Sequence, residues 1–377
     1  MTFFLKWLST LPPLAQVPVV IGAFLVVAAM LLFLIELAPR RGRKYTIIRA
    51  VACVAIPLVM VALLDSYTWA IAGAGFLGLL LFWLDYRSRQ GAGYLFALVG
   101  FLSPALLLLV VGLVIPTIQT TIASFMNSRG TEFVGMENFI WIFTQPSGIR
   151  TVLNTVLWVL IAPAVSTIAG LAYAVFIDKS RGEKFFKILV FMPMAISFVG
   201  ASIIWRFIYT ARPADGQQIG LLNQVIVWAG GEPVQFLQES PLNTVALIAV
   251  LIWVQTGFAM VILSAAIKGV PIEQLEAAEL DGASAWQRFA NVTLPGIRSS
   301  LVVVLTTISI ASLKVFDIVR TMTAGANDTS VIANEMYTQF RNFEGGRSAA
   351  FAVILFIMVM PIVIYNARQI KMQRELR

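Results

Sequence analysis

The sequence predicts an all-α, polytopic helical membrane protein with about nine transmembrane helices. Three observations carry that reading. Of 377 residues, 59% are hydrophobic and only 12% are charged, about half the charge of an ordinary soluble domain. So few charges cannot cover a water-soluble fold of this size, whereas lipid solvates apolar side chains directly. The apolar residues also fall into runs of about 20, the length a helix needs to cross a hydrocarbon core of about 30 Å. Finally, Lys and Arg gather between those runs on alternate sides. Lipid offers backbone N–H and C=O groups no partner, so each run is read as a helix.

In chain order the expected spans are about 17–37 (A), 46–64 (B), 67–84 (C), 93–115 (D), 152–177 (E), 186–209 (F), 242–266 (G), 297–319 (H) and 349–367 (I). Span A follows a single Lys, Lys6, and is too long for a signal-peptide core, so it is read as retained. B and C are joined too closely to be anything but a hairpin. The A–B, C–D, E–F and G–H connections and the C-terminal tail hold 17 Lys and Arg, among them Arg40, Arg87, Lys179, Lys268 and Arg374. The opposite side holds 6: Lys6, Arg129, Arg150, Arg212, Arg341 and Arg347. The positive-inside rule then places the N-terminus outside and the C-terminus in the cytoplasm. The outer loops 116–151, 210–241 and 320–348 far exceed ordinary helix connections. Their apolar patches at 139–143 and 221–228 suit short surface helices.

Several function classes are excluded. The net charge of +8 is explained by loop residues flanking spans, and the arginine and aromatic interleaving of a nucleic-acid binder is missing. Cys53, in an apolar run, is the one cysteine, so the chain builds no disulfide framework within itself. With no His, an intramembrane metal site is disfavoured, and so is an intramembrane enzyme, which needs His, Cys or paired carboxylates within spans. No G-x-x-x-x-G-K-[ST] occurs, so the chain lacks the amides and Lys that hold a nucleotide phosphate. Gly73, Gly75 and Gly78 match G-x-G-x-x-G but sit inside span C with no strand before them; close helix packing explains them better.

The G–H connection is the most informative segment. It reads VPIEQLEAAELDGASAWQRFANVTLP from Val270 to Pro295. Pro271 suits the first turn of a helix, and the acids after it favour that end. Good helix formers run to Asp281, and Gly282 can take the left-handed conformation that ends a helix. Residues 283–289 suit a second short helix, with Pro295 stopping the run before span H. Ile272, Leu275 and Ala278 fall near one face of the first helix, and Trp286 and Phe289, three apart, share a face of the second. A docking surface needs those aromatics; a solvated loop does not. The alternative, an amphipathic helix on the headgroups, is opposed by the acidic first helix, which an anionic inner leaflet repels.

Glu276, Ala277, Ala278, Asp281, Gly282, Ala283, Leu294 and Pro295 fit E-A-A-x-x-D-G-A with a later L-P. The loop thereby resembles the EAA motif of permease subunits of ABC-type, binding-protein-dependent importers. The likeness extends to maltose-type sugar permeases through residues 133–139, 191–197 with Trp205, and 315–319 with Thr323 and Gly325; Gly325-Ala326-Asn327 departs from the usual Gly-Gly-Pro. It covers the chain from span D onward, dividing it into a three-span extension (1–92) and a six-span importer core (93–377). The resemblance implies a bacterial or archaeal cytoplasmic membrane, a second permease subunit, an ABC ATPase dimer and an extracytoplasmic solute-binding protein. ATP and Mg would be bound by the ATPase and no cofactor by this chain. Glu276, Ala277, Ala278, Asp281, Gly282, Trp286 and Phe289 would form the ATPase-coupling element, with Glu276 pairing a basic residue across the interface.

Polar groups within spans are functional candidates. The resemblance places sugar contacts of related permeases on spans G and H. Leu251, Trp253, Val254, Gln255, Phe258 and Ser312 fall on or beside those positions, and Gln255 is the best single candidate. A di- or oligosaccharide of maltose or α-glucoside type is the expected solute. Each residue has a plainer alternative: Ser and Thr often bond their own helix, and Lys314 and Asp317 would neutralise each other. Other readings are an importer for a glycerol phosphate or polyol, or an ion-coupled carrier. The last expects an intramembrane ionisable relay and repeated halves, and neither is visible.

Overall fold

A computed structural model describes residues 109–375, apart from 178, 179, 181, 214 and 215, together with a few isolated positions nearer the N-terminus. The chain forms two compact units, Met1–Thr117 and Ile118–Arg377. Spans A–C, most of span D and the expected 92/93 boundary lie outside the described residues.

The regular secondary structure of the described residues is helical. They comprise α1 Ile115–Ala123, α2 Glu137–Thr144, α3 Pro146–Ile177, α4 Glu183–Phe191, α5 Phe198–Ile208, α6 Leu221–Trp228, α7 Leu242–Lys268, α8 Ile272–Leu280, α9 Ala285–Gly296, α10 Arg298–Leu313, α11 Asp317–Met322, α12 Ile332–Arg341 and α13 Gly345–Glu375. One isolated β-bridge joins Met126 to Phe133.

Among the described residues, α3, α7 and the 345–368 stretch of α13 are long and apolar enough to cross a membrane. They correspond to spans E, G and I. Span F is broken: the chain bends by 103° between Ala195 and Phe198, and a second bend of 67° falls between Gly296 and Arg298, at the expected start of span H. The first break follows from Pro193, which has no amide to continue the helical ladder. Residues Met192–Ala195 tighten into a 3-10 turn, Ile196 is extended, and Ser197 caps α5, its Oγ accepting from Gly200 N at 3.1 Å. The second break follows Pro295-Gly296. Span H also ends earlier than expected, because α10 stops at Leu313 and α11 begins afresh at Asp317. The apolar patches of the long loops form α2 and α6.

Helix α7 is the axis of the packing. A cluster near its start joins Leu247, Leu251 and Val254 to Trp158 of α3 and to Ile318 and Val319 of α11. A second cluster joins Met260 and Leu263 to Val304 and Ile308 of α10. A third, built from Ile142, Ile332 and Phe351, ties α2, α12 and α13 together. Phe176, Ile168 and Leu160 of α3 remain exposed, which suits lipid or a partner helix better than water.

Candidate functional site: a coupling loop and a recess

The segment between α7 and α10 folds as two helices about a left-handed turn. Pro271 occupies the N-cap of α8, one position before the expected first turn, with Ile272 the first helical residue. At the other end Gly282 has φ +81°. Its N–H donates to Glu279 O and the Ala283 N–H to Ala278 O, both at 3.0 Å. These two bonds are the Schellman termination, which satisfies the last carbonyls of a helix only when the residue after its end is left-handed.

The next helix begins with a reciprocal cap. Ser284 Oγ accepts from Gln287 N at 3.3 Å, and Gln287 Oε1 accepts from Ser284 N at 2.8 Å. This capping box was legible as Ser-x-x-Gln but was not read from the sequence. An ion pair between Arg288 and Glu279 spans the turn. The run ends one residue beyond Pro295, at Gly296, before a 67° bend into α10. A π turn at Phe289–Thr293 lets Leu294 N–H reach Phe289 O, and α9 continues to Gly296.

The result is a compact knuckle with a largely apolar outer surface. Leu280 is 89% exposed, Trp286 73% and Ile272 60%. Trp286 lies against the half-buried Phe289 with ring centroids 5.6 Å apart. Glu276, Ala277 and Asp281 are exposed; Leu275 and Ala278 are half-buried. Leu280, the most exposed of these apolar groups, was not singled out in the sequence because it lies off the Ile272–Leu275–Ala278 face.

The expected solute contacts are placed unevenly. Gln255 lies thirteen residues from either end of α7, hence about 20 Å from each. It is half-buried, and its amide has no hydrogen-bond partner among the described residues. One turn along the same face, Leu251 forms the floor of a recess of about 350 Å³ lined also by Phe198, Thr307, Lys314, Phe316 and Asp317. Trp253 packs edge-on against Trp205, centroids 5.7 Å apart, and Phe258 packs on the second apolar cluster. Val254 is buried in the first. Ser312 is fully buried, and its hydroxyl donates to Ile308 O at 2.9 Å; as placed, it has no surface for a solute. Lys314 and Asp317, expected to neutralise each other, do not pair: both are exposed on the recess, and no ion pair joins them. The chain breaks between α10 and α11, so their sequence spacing of three does not bring them together as it would along one helix. Among the described residues no cluster of His, Cys, Asp and Glu could hold a metal ion.

Broken and continuous apolar helices, a polar group at mid-helix and a protruding two-helix knuckle define a polytopic membrane permease. The chain belongs to the family described as the binding-protein-dependent transport system inner membrane component, whose pattern matches residues 165–371. It is therefore an inner-membrane transport subunit and not an enzyme. It is 47% identical over 278 residues to the osmoprotective compounds uptake permease protein GgtC of Synechocystis sp., covering 74% of this chain and 100% of that one. It is also 47% identical to the alpha-glucoside transport system permease protein AglF of Rhizobium meliloti, over 71% of this chain and 80% of the relative. The fold is shared with a chain of a bacterial ABC transporter involved in import of the acidic polysaccharide alginate, at TM-score 0.63 and 21% identity over 75% of this chain and 97% of that one.

Proposed function

We propose that this chain is the permease subunit through which an ABC importer passes an α-glucoside-type carbohydrate, a di- or oligosaccharide handed over by an extracytoplasmic binding protein. A second permease subunit completes the pathway, and a separate ATPase dimer holds ATP and Mg and drives the cycle. The observation that carries the reading is the knuckle of α8 and α9. Its angle is set by backbone and cap hydrogen bonds within the loop, and it presents Ile272, Leu280 and Trp286 to solvent. Exposing three large apolar side chains beside an acidic helix is costly in water, and an apolar cleft in another protein relieves that cost. Closure of the ATPase dimer would then press on this knuckle and tilt the helices attached to it.

The solute class is supported by the recess and by the names of the relatives. The rings of Phe198 and Phe316 suit the faces of a sugar ring, while the hydroxyl of Thr307, the ammonium of Lys314 and the carboxylate of Asp317 suit its hydroxyls. A volume of about 350 Å³ is within the range of small-molecule sites. The GgtC name favours a second reading, an osmoprotective solute, and a polyol would use the same donors and acceptors.

The test is reconstitution of the chain with its sister permease, ATPase and binding protein in liposomes, with radiolabelled maltose and a polyol as probes. ATP-dependent maltose uptake that disappears on deletion of residues 276–289 is the expected result. Uptake by the chain alone, without the ATPase, would overturn the importer reading; uptake of the polyol in place of maltose would overturn the sugar.

A further inference from the structure

Helices α4 and α7 meet at two places, and neither belongs to the coupling loop or the recess. One is a close backbone approach. A Cβ at Gly257 of α7 would stand 2.5 Å from Val190 O and 2.9 Å from Phe191 Cα of α4, so only glycine lets the two helices lie this near. The other is a polar node at the end of α7 from which the coupling loop springs. Glu183, the first residue of α4, accepts through one oxygen from Lys187 Nζ and from Lys268 Nζ, each at 2.7 Å. Lys187 Nζ also donates to Ser264 Oγ at 2.6 Å.

The spacing makes this more than a surface ion pair. Glu183 and Lys187 are four apart on α4, and Ser264 and Lys268 are four apart on α7, so each pair occupies one face of its helix. The node therefore locks both the rotation and the axial register of α4 on α7. Ser264 is buried and Glu183 and Lys187 are only about a quarter to a third exposed, so that pair is screened less than an open surface pair, whereas Lys268 is half exposed. Lys268 is the last residue of α7, and α8 begins after three intervening residues, at Ile272. The far end of α4 is the 103° break.

We propose that Glu183 is a positioning residue that clamps α4 to the root of the coupling element. Through it a displacement of α8 reaches the α4–α5 break with α4 and the second half of α7 moving as one body. Gly257 supplies the second point of attachment, and two points fix a rigid pair where one would leave a pivot. This rests on the coupling role assigned to α8 and adds the route by which its motion leaves the loop.

The test uses the whole reconstituted importer with maltose-loaded binding protein. Glu183→Gln should lower maltose taken up per ATP hydrolysed by about tenfold, within the range of coupling free energies between sites. The double exchange Glu183→Lys with Lys268→Glu, which again sets one carboxylate between two ammonium groups, should restore most of it. Nitroxides at Lys184 of α4 and Val261 in the second half of α7, both exposed, should give one narrow distance distribution that is the same with and without ATP, and that broadens in Glu183→Gln. A wild-type distance that changes on ATP binding overturns the single-body lever. An unchanged uptake ratio in Glu183→Gln, or a loss the exchange does not recover, overturns the clamp. If deletion of 276–289 abolishes uptake while Glu183→Gln does not, the coupling role stands and the clamp fails; if the deletion has no effect, the coupling role itself fails.

Discussion

A side chain at position 282 would meet no atom within 4 Å, yet the backbone there has φ +81°. Replacement is therefore opposed by conformation and not by crowding. An L-residue in this region costs about 1–2 kcal/mol, which corresponds to a factor of roughly 5–30 in the population of the correctly turned loop. Gly282→Ala should accordingly reduce ATP hydrolysis stimulated by the loaded binding protein by up to that factor. The concentration of solute giving half-maximal uptake should stay the same, since the recess is untouched; steady-state uptake and ATPase assays on one preparation separate the two. Gln255 should behave in the opposite way. Its amide, at the midpoint of α7, has no hydrogen-bond partner among the described residues. Gln255→Leu keeps the bulk and removes one hydrogen bond to a neutral solute, worth about 1 kcal/mol, so half-maximal uptake should need roughly fivefold more solute. Basal ATP hydrolysis should not move. A change in basal hydrolysis without a change in solute dependence would remove Gln255 from the pathway.

Among the elements, the coupling loop was the most legible in sequence because its signals are local. Gly282 ends a helix for reasons contained within five residues, and the acids of α8 mark its start. The breaks in spans F and H were hidden for the opposite reason. A hydropathy run reports how apolar a stretch is and nothing of its direction, so neither the break at Pro193 inside span F nor the end of α10 at Leu313 inside span H shows in it. In span F the outcome depended on what could replace the lost amide of Pro193: a 3-10 turn and the Ser197 cap. Ser312 illustrates the same limit at the site. Its residue type suggested a solute contact, and only the helix geometry shows its hydroxyl turned back to Ile308 O. The loop's caps also give a prediction at this scale. Ser284→Ala removes the side-chain half of the capping box, at a cost of about 1 kcal/mol. The amide of Gln287 should then exchange with solvent about fivefold faster while amides inside α7 keep their rates, as hydrogen exchange with mass spectrometry would record. Coupled uptake should fall by less than in Gly282→Ala, because a cap can be replaced by water and a left-handed turn cannot.

For the whole molecule, orientation follows from charge and has to agree with mechanism. The proposed orientation rests on 17 Lys and Arg on one side against 6 on the other, which by the positive-inside rule would put the G–H connection in the cytoplasm. An ATPase can reach the knuckle only from that side. The node at Glu183, Lys187 and Lys268 lies at the same end of α7 as the knuckle, so both would face the cytoplasm. The Asp328 turn belongs to the opposite end: Arg150 pairs with Asp328, and Asn243 Nδ2, near the start of α7, donates to Asn327 O at 2.6 Å. Because Cys53 is the single cysteine, a Cys53→Ser background allows each end to be marked alone. Glu132→Cys and Ala277→Cys are both at exposed positions. In intact cells a membrane-impermeant maleimide should label Glu132→Cys and leave Ala277→Cys unreacted, and after the membrane is opened it should label both. Labelling of Ala277→Cys in intact, sealed cells would put the knuckle outside, and an orientation set by charge and a coupling role for the loop would then fall together.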